Sequence, residues 1–541
     1  MNDQPTRQQM LDGIERDNTF DLIVIGGGSS GLGIAVDAAT RGFSTVLFES
    51  HDFAKGTSSR ATKLVHGGVR YLAQGNISLV RESLRERQIL LDNAAHLTQP
   101  LPFVVPCFGL LGSIWNLPIY RTGFAFYDAL AQGSRLGKSQ CVSRKTLLKE
   151  SPMVQHNKLC GGVRYWDAQF DDARLAVALA RTAIQAGATI LNYCQVMQFL
   201  KSDTRSADGQ VNGVLVEDQE TNRRFPVYGK CVVNAAGVWA DSVRRLDDPA
   251  AMRTLAPSQG AHIVVDQSFF PSDQALLVPK TTDGRVLFAV PWMGKLILGT
   301  TDIPRDDIPI EPRPFPKEID FILKESSRYL AHAPQRSDIR AAWAGLRPLV
   351  HTPRHNDTDT KQISREHIIR VSSHGLVTVS GGKWTTYRAM AEDVLRTCFN
   401  HNLLPSNNPG ITKTLRLVGS PSPSEAQVSL AAPPGLHLYG SESDCVLSLP
   451  GSNHEILPGL SEAMVRFAIR YEYARTVEDV LARRSRWLFL DAQAAADASG
   501  TVGDIIQEEL TSSFDRDASV ESFRELATGY QVDARPHTKP L

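Results

Sequence analysis

Residues 20–50, FDLIVIGGGSSGLGIAVDAATRGFSTVLFES, constrain this chain more than any other stretch. The apolar run at 22–25 is what a central parallel strand requires. Gly26, Gly28 and Gly31 follow in the spacing G-x-G-x-x-G, and the pattern predicts a helix over 30–41 closed by Gly42. A second apolar strand at 45–48 ends in Glu49. Strand, glycine turn, helix and strand together make a β-α-β unit suited to a dinucleotide. The glycines let backbone approach a pyrophosphate, and the helix N-terminus offers it unpaired N–H groups and the positive end of a dipole. Glu49 is placed to accept both ribose hydroxyls of an adenosine and to disfavour a 2′-phosphate.

The segment after the acid separates the two common dinucleotides. KGTSSRATKLVHGGVRYL, at 55–72, alternates Gly, Thr and Ser with Lys63, His66 and Arg70. Such a loop wraps a second phosphate and a flavin, where an NAD fold places an ordinary helix. FAD is therefore the expected cofactor. Composition narrows the rest. Lys and Arg number 58 and Asp and Glu 58, so no global electrostatic case for nucleic acid survives. Seven scattered cysteines, never spaced C-x-x-C, argue against a disulfide framework. No histidine–acid cluster has metal-ligand spacing, and no metal is expected. The compartment implied is reducing and cytosolic, and the polar first twenty residues read as neither signal peptide nor mitochondrial presequence. Residues 101–120, LPFVVPCFGLLGSIWNLPIY, carry no charge but include Pro102, Pro106 and Pro118. They read as a strand and an irregular apolar loop, either buried or dipping into one leaflet, and not as a span.

Further along, the periodicity predicts helices at 78–92, 172–186, 316–330 and 385–398, and a hairpin at 195–200 and 211–217. Between 260 and 300 four short apolar strands suggest a meandering antiparallel or mixed sheet. After residue 400 a Pro/Ser/Gly stretch leads to helical texture, with Thr476 and Thr501 as N-caps and Asp479 and Asp504 three residues on. The expected class is α/β: a Rossmann-like FAD-binding domain, an inserted mixed or antiparallel substrate sheet, and an all-helical C-terminal domain. The division expected is FAD-binding segments at 19–95, 151–255 and 371–400, a substrate or cap segment at 96–150, a substrate domain at 256–370 and the helical domain at 415–530. The stretch RYEYARTVEDVLARRSRW is basic on one side through Arg470, Arg475, Arg483, Arg484 and Arg486. Packing under the flavin lobe is the preferred reading, ahead of an anionic membrane surface or a homodimer contact.

The words IVIGGGSSGLGIAVDA, TSSRATKLVHGGVRYL, DDARL, VVNAAGVWAD, PWMGKLILGTTD, GLRPL, GGKWTTYR and ARTVEDVLARRSRWLFLDA occur in this order along almost the whole chain. In them the chain closely resembles the FAD-dependent, respiratory glycerol-3-phosphate dehydrogenases. The HGG-x-R-Y, GLRPL and GGK-x-TTYR words separate that family from amine-oxidising enzymes of the same flavin fold. SSGLG and NAAGVW depart from the usual wording but keep the glycines. The resemblance implies that Ser58, Ser59, Thr62 and Lys63 touch FAD, with Gly67 and Gly68 beside the ring. It implies a second contact turn at Ala235, Ala236 and Gly237, and a third at Gly381, Gly382, Lys383, Thr385 and Thr386.

It also implies the reaction: sn-glycerol 3-phosphate to dihydroxyacetone phosphate, with electrons passed from FAD to ubiquinone or a similar quinone. The protein is then expected in the cytoplasm, held peripherally on the anionic inner face of the cytoplasmic membrane. The phosphate calls for cations, and arginine forks bind two of its oxygens at once. Arg70, Arg347, Lys383 and Arg365 are the candidates, with Tyr71 and Tyr387 either bonding a phosphate oxygen or capping the pocket. Arg347 stands out because AAWAGLRPLV supplies no acid nearby. His66 and His262 are the candidate bases for the hydroxyl proton. Two other outcomes share much of this sequence logic: a glycerol-3-phosphate oxidase that uses O₂, and a non-catalytic flavoprotein sensor or scaffold.

Overall fold

The computed structural model describes residues 4–68, 72, 75–109, 117–131, 136–202, 209–279, 281–350, 367–406, 408–422, 427–510 and 514–532. Arg70, Tyr71, Arg365, Ile114 and Trp115 lie outside them.

The N-terminal unit forms as its pattern requires. Strand Thr19–Ile25 is buried throughout its apolar half and lies between two parallel neighbours, Thr45–Phe48 and Arg223–Asn234. Thr189–Leu191 continues the sheet on one side, Val377–Gly381 and the antiparallel edge His367–Val371 on the other. Helices Ser29–Thr40, Asp172–Gln185 and Tyr387–Asn400 share one apolar core with this sheet. The expected hairpin, Cys194–Lys201 with Val211–Asp218, extends the sheet by antiparallel pairing.

Among the described residues the second sheet has ten strands and is antiparallel except where Ala275–Val278 meets Thr98–Phe108. Leu159–Phe170, placed with the FAD-binding segments on sequence, belongs here and pairs with Thr98–Phe108 along its length. His367–Val371 makes the opposite exchange and joins the first sheet. Both strands alternate or run apolar in ways that suit either sheet, so their partners, and not their patterns, decide. Helix Pro316–Ser326 covers one face of the second sheet. The C-terminal helices cover the other, with Trp292 and Trp343 of the sheet packed in one cluster with Trp487 and Phe489.

The C-terminal domain departs from the expected all-helical form by one small hairpin, Glu455–Leu457 with Leu460–Ser461. Thr476 and Asp479 cap reciprocally: Thr476 Oγ1 accepts from the Asp479 N–H at 3.2 Å, and Asp479 Oδ2 accepts from the Thr476 N–H at 3.1 Å. Thr501 caps nothing, because Ala492–Leu510 runs through it as one helix. Val502, Ile505 and Ile506 bury on that helix's core side, and this packing overrides the local stop signal.

Candidate active site

One cavity of about 1340 Å³ opens between the two sheets, at the carboxyl ends of the parallel strands. It exceeds the roughly 300–1,000 Å³ that a single drug-sized ligand takes, which leaves room for a dinucleotide and a small substrate together. Its first wall is the glycine turn. Gly26 has φ +108°, and a Cβ there would lie 2.8 Å from the Ala235 carbonyl oxygen. A Cβ on Gly31 would lie 1.9 Å from the Gly26 carbonyl oxygen, so helix and turn are in contact. Gly28 caps the helix without a side chain, while the Ser29 N–H donates to Ser58 Oγ at 3.0 Å. Glu49 lines the same end, its carboxylate held by the Gly27 and His51 N–H groups at 2.6 and 2.9 Å.

The loop after Glu49 joins the other motifs. Thr57 Oγ1 donates to the Leu346 carbonyl at 2.6 Å, and Trp384 Nε1 donates to the Ser58 carbonyl at 2.9 Å. Gly381 and Gly382, at φ +81° and +82°, turn the third motif toward the cavity. Gly26, Gly28, Ser58, Thr62 and Gly68 line the cavity, as do the turn Ala235, Ala236, Gly237 and the segment Gly382, Lys383, Thr385.

Five expected cofactor residues do not line it. Gly31 and Gly67 are packing positions; a Cβ on Gly67 would lie 2.3 Å from the Tyr127 hydroxyl. Ser59 and Thr386 are buried behind the wall. Lys63 is the clearest correction. Its ammonium is fully buried against Asp172, at 2.7 and 2.8 Å, and the Ser59 carbonyl at 2.8 Å. Trp292, Trp343 and Phe489 surround it within 5.2–5.5 Å. Burial and nearby Arg486 push it down to about 7, against the pull of Asp172. Tyr387 does not line the cavity, and its ring is buried against Gly33.

The second wall comes from the ten-stranded sheet and carries His262 and Arg347, with His66 and Lys383 facing the same space. Arg347 donates to Thr300 Oγ1 at 3.0 Å and the Thr301 carbonyl at 3.1 Å, and meets Asp302 Oδ1 at 3.4 Å. The fold thus supplies the acid that the local sequence lacks. His262 Nε2 lies 2.9 Å from Thr62 Oγ1, its ring stacks on Trp343, and its buried Nδ1 has no hydrogen-bond partner among the described residues. Burial, then Arg347 and Lys63, hold His262 well below the usual histidine range. Sequence reasoning missed Asp302 and Arg285, which also line the cavity. Asp302 was readable as the acid closing GTTD at a strand end; Arg285 had no signal beyond preceding an apolar strand.

Comparison with known proteins identifies the family. Residues 21–388 match the model of the FAD dependent oxidoreductases, and 411–517 that of the C-terminal domain of alpha-glycerophosphate oxidase. The mitochondrial glycerol-3-phosphate dehydrogenase of Macaca fascicularis is 40% identical over 542 residues, covering 94% of this chain and 72% of that one. The chain belongs to the FAD-dependent glycerol-3-phosphate dehydrogenase family. Among solved members, the glycerol-3-phosphate dehydrogenase from Bacillus halodurans complexed with FAD superposes with a TM-score of 0.77 at 28% identity, over 100% of each chain. FAD is the cofactor of this family member, and the walls fit it: a glycine turn closed to a Cβ at Gly26 and Gly31, the acid Glu49 beside it and a helix N-terminus bare of side chain at Gly28.

Proposed function

We propose that this enzyme oxidises sn-glycerol 3-phosphate to dihydroxyacetone phosphate and passes the electrons to a membrane quinone such as ubiquinone. One observation carries the reading: His262 and the half-buried Arg347 share the cavity that the dinucleotide turns open into. FAD, when bound, supplies the acceptor for the hydride from C2. Arg347, with Lys383 on the same cavity, binds the phosphate dianion. His262, hydrogen-bonded through Nε2 to Thr62 Oγ1 on the cavity wall, is the residue that receives the C2 hydroxyl proton. His66 faces the same cavity and is the alternative proton acceptor.

The quinone acceptor places the protein at a lipid surface. Among the described residues no helix is long and apolar enough to cross a membrane. Helix Leu117–Leu130 instead exposes Ile119 and Phe126, by 60% and 46%, and both line the cavity mouth. That apolar lip supports a peripheral membrane contact. The purified yellow protein should bleach anaerobically with glycerol 3-phosphate and recolour faster with a soluble quinone analogue than with O₂. A flavin that stays oxidised refutes the substrate; rapid recolouring in air with hydrogen peroxide released makes the protein an oxidase.

A further inference from the structure

Strand Leu64–Val65 pairs antiparallel with Leu159–Phe170, Leu64 opposite Gln169 and Val65 opposite Ala168. The next step of that register would set His66 opposite Asp167, and there the ladder stops. The Gly67 N–H donates to the Asp167 side chain instead, 3.2 Å from Oδ1. A buried amide needs a partner, and a side-chain partner lets the backbone leave the sheet. On either side of Gly67, His66 and Gly68 line the cavity, Gly68 at φ +80°. The His66 ring meets Phe288 edge-on, with 6.5 Å between centroids.

Two further donors aim the Asp167 carboxylate. Arg87 Nη1, from helix Ile77–Asn93, donates to Oδ1 at 2.6 Å. The Tyr127 hydroxyl, from helix Leu117–Leu130, donates to Oδ2 at 2.8 Å. Asp167, Arg87 and Tyr127 are each 1% exposed. The Tyr127 ring stands edge-on to Tyr165, which stacks on Phe124 at 4.3 Å. A Cβ on Gly67 would fall on the Tyr127 hydroxyl and on Leu84, so the two helices clasp the loop at this point. An ion pair that served the core alone would end on Arg87; here the same oxygen also takes the loop amide. Asp167 itself does not line the cavity, so any effect it has on the reaction passes through this loop.

We propose that Asp167, aimed by Tyr127, is a positioning residue of the oxidation, fixing the segment from His66 to Gly68 in the cavity wall. This rests on the reading that glycerol 3-phosphate is oxidised in this cavity. In that reading Arg347 and Lys383 hold the phosphate, from other elements of the fold. Releasing the loop therefore misplaces groups around the reacting carbon and leaves the phosphate grip intact. A misplacement of about 1 Å costs up to roughly a hundredfold in rate, and a loss confined to the chemical step lowers kcat and spares binding.

The test is anaerobic stopped-flow bleaching of the holoenzyme flavin by glycerol 3-phosphate. Asp167→Ala, purified with its flavin, should bleach at a limiting rate about tenfold or more below wild type, with half-saturation changed by less than about threefold. Asp167→Asn has the same shape: its oxygen still accepts from the Gly67 N–H, and its nitrogen donates to the Tyr127 oxygen. It should bleach within about threefold of wild type, although losing the charge beside buried Arg87 lowers the melting temperature. Rate then follows the hydrogen bond while stability follows the charge, a division that a purely structural pair would not produce. If Asp167→Ala does not accumulate with flavin, Tyr127→Phe decides, because it keeps the Arg87 pair: a limiting rate about threefold lower or more at unchanged half-saturation supports the proposal, and a wild-type rate overturns it. The proposal is also overturned if Asp167→Ala bleaches like wild type, or if the Asn and Ala variants lose rate in step with melting temperature. Wild type that fails to bleach with glycerol 3-phosphate overturns the substrate reading, and this proposal with it.

Discussion

At the scale of single residues, Arg347 and the glycine beneath it act together. Arg347→Ala should keep FAD and fold, yet lose about 2–5 kcal/mol of transition-state stabilisation with glycerol 3-phosphate, since truncation leaves one half of a charge pair unmatched. Glycerol, lacking the phosphate, should be penalised far less in anaerobic stopped-flow. Gly260→Ala should imitate this selectivity without removing any charge, because the new methyl would occupy the guanidinium's place. Equal losses on both substrates in both variants would assign Arg347 to structure. Gly28→Val should purify colourless, since a branched side chain beside Ser58 Oγ stands in the pyrophosphate's path; full flavin occupancy would displace the cofactor site. These residues were legible because their neighbours are odd: a cation among apolar residues, glycines between a strand and a helix. Lys63 has the same local signature and a different fate. Its partner Asp172 is 109 residues away, and no local pattern distinguishes a buried ion pair from a ligand-binding cation.

At the scale of elements, the β-α-β unit and the regular helices were readable because one period dominates each. The second sheet was readable as a sheet, but its membership was not, because Leu159–Phe170 and His367–Val371 are assigned by pairing across the fold. The stretch at 101–120 divides. Its first part is strand Thr98–Phe108, and its end begins helix Leu117–Leu130 where an irregular loop was expected. That helix carries the membrane contact in the proposed reading. Ile119→Asp with Phe126→Asp should reduce flotation with anionic liposomes at high as well as low salt, because the contact is apolar. Flavin bleaching by glycerol 3-phosphate should be unchanged, while reoxidation by liposome-borne quinone slows. Unaltered flotation would remove this helix from the lipid contact.

At the scale of the whole molecule, the C-terminal domain is bolted to the cofactor loop by buried charge. Arg483 and Arg484, which their sequence context left open to a membrane surface, are each 2% exposed and converge on Asp52, three residues after Glu49. Glu478 joins Lys55 and Arg483; Glu311 joins Lys55 and Arg60; Arg486 reaches Asp172 and the Ser59 carbonyl. The domain therefore holds the segment that carries Ser58 and Thr62, and losing its grip should release flavin. Arg484→Met leaves Asp52 short of a partner in the interior, at a cost of about 3–5 kcal/mol. It should lower the melting temperature and free FAD, read as a rise in flavin fluorescence, without changing liposome flotation. Adding Asp52→Asn should recover part of the loss, because the unmatched charge is removed with it. Acid tests the same network. The arginines and Lys55 hold Asp52, Glu311 and Glu478 below the ordinary carboxylate range despite burial, while Asp479 is pushed upward by burial and by Asp52. For the three depressed groups the stabilisation is fully present above unfolded values of about 3.9 for Asp and 4.3 for Glu, and is lost as pH falls through the folded ones. Wild type should accordingly retain FAD at pH 5 and release it only below about pH 4. Arg484→Met should release it at higher pH, and identical acid release curves for the two would show that the clamp does not hold the cofactor.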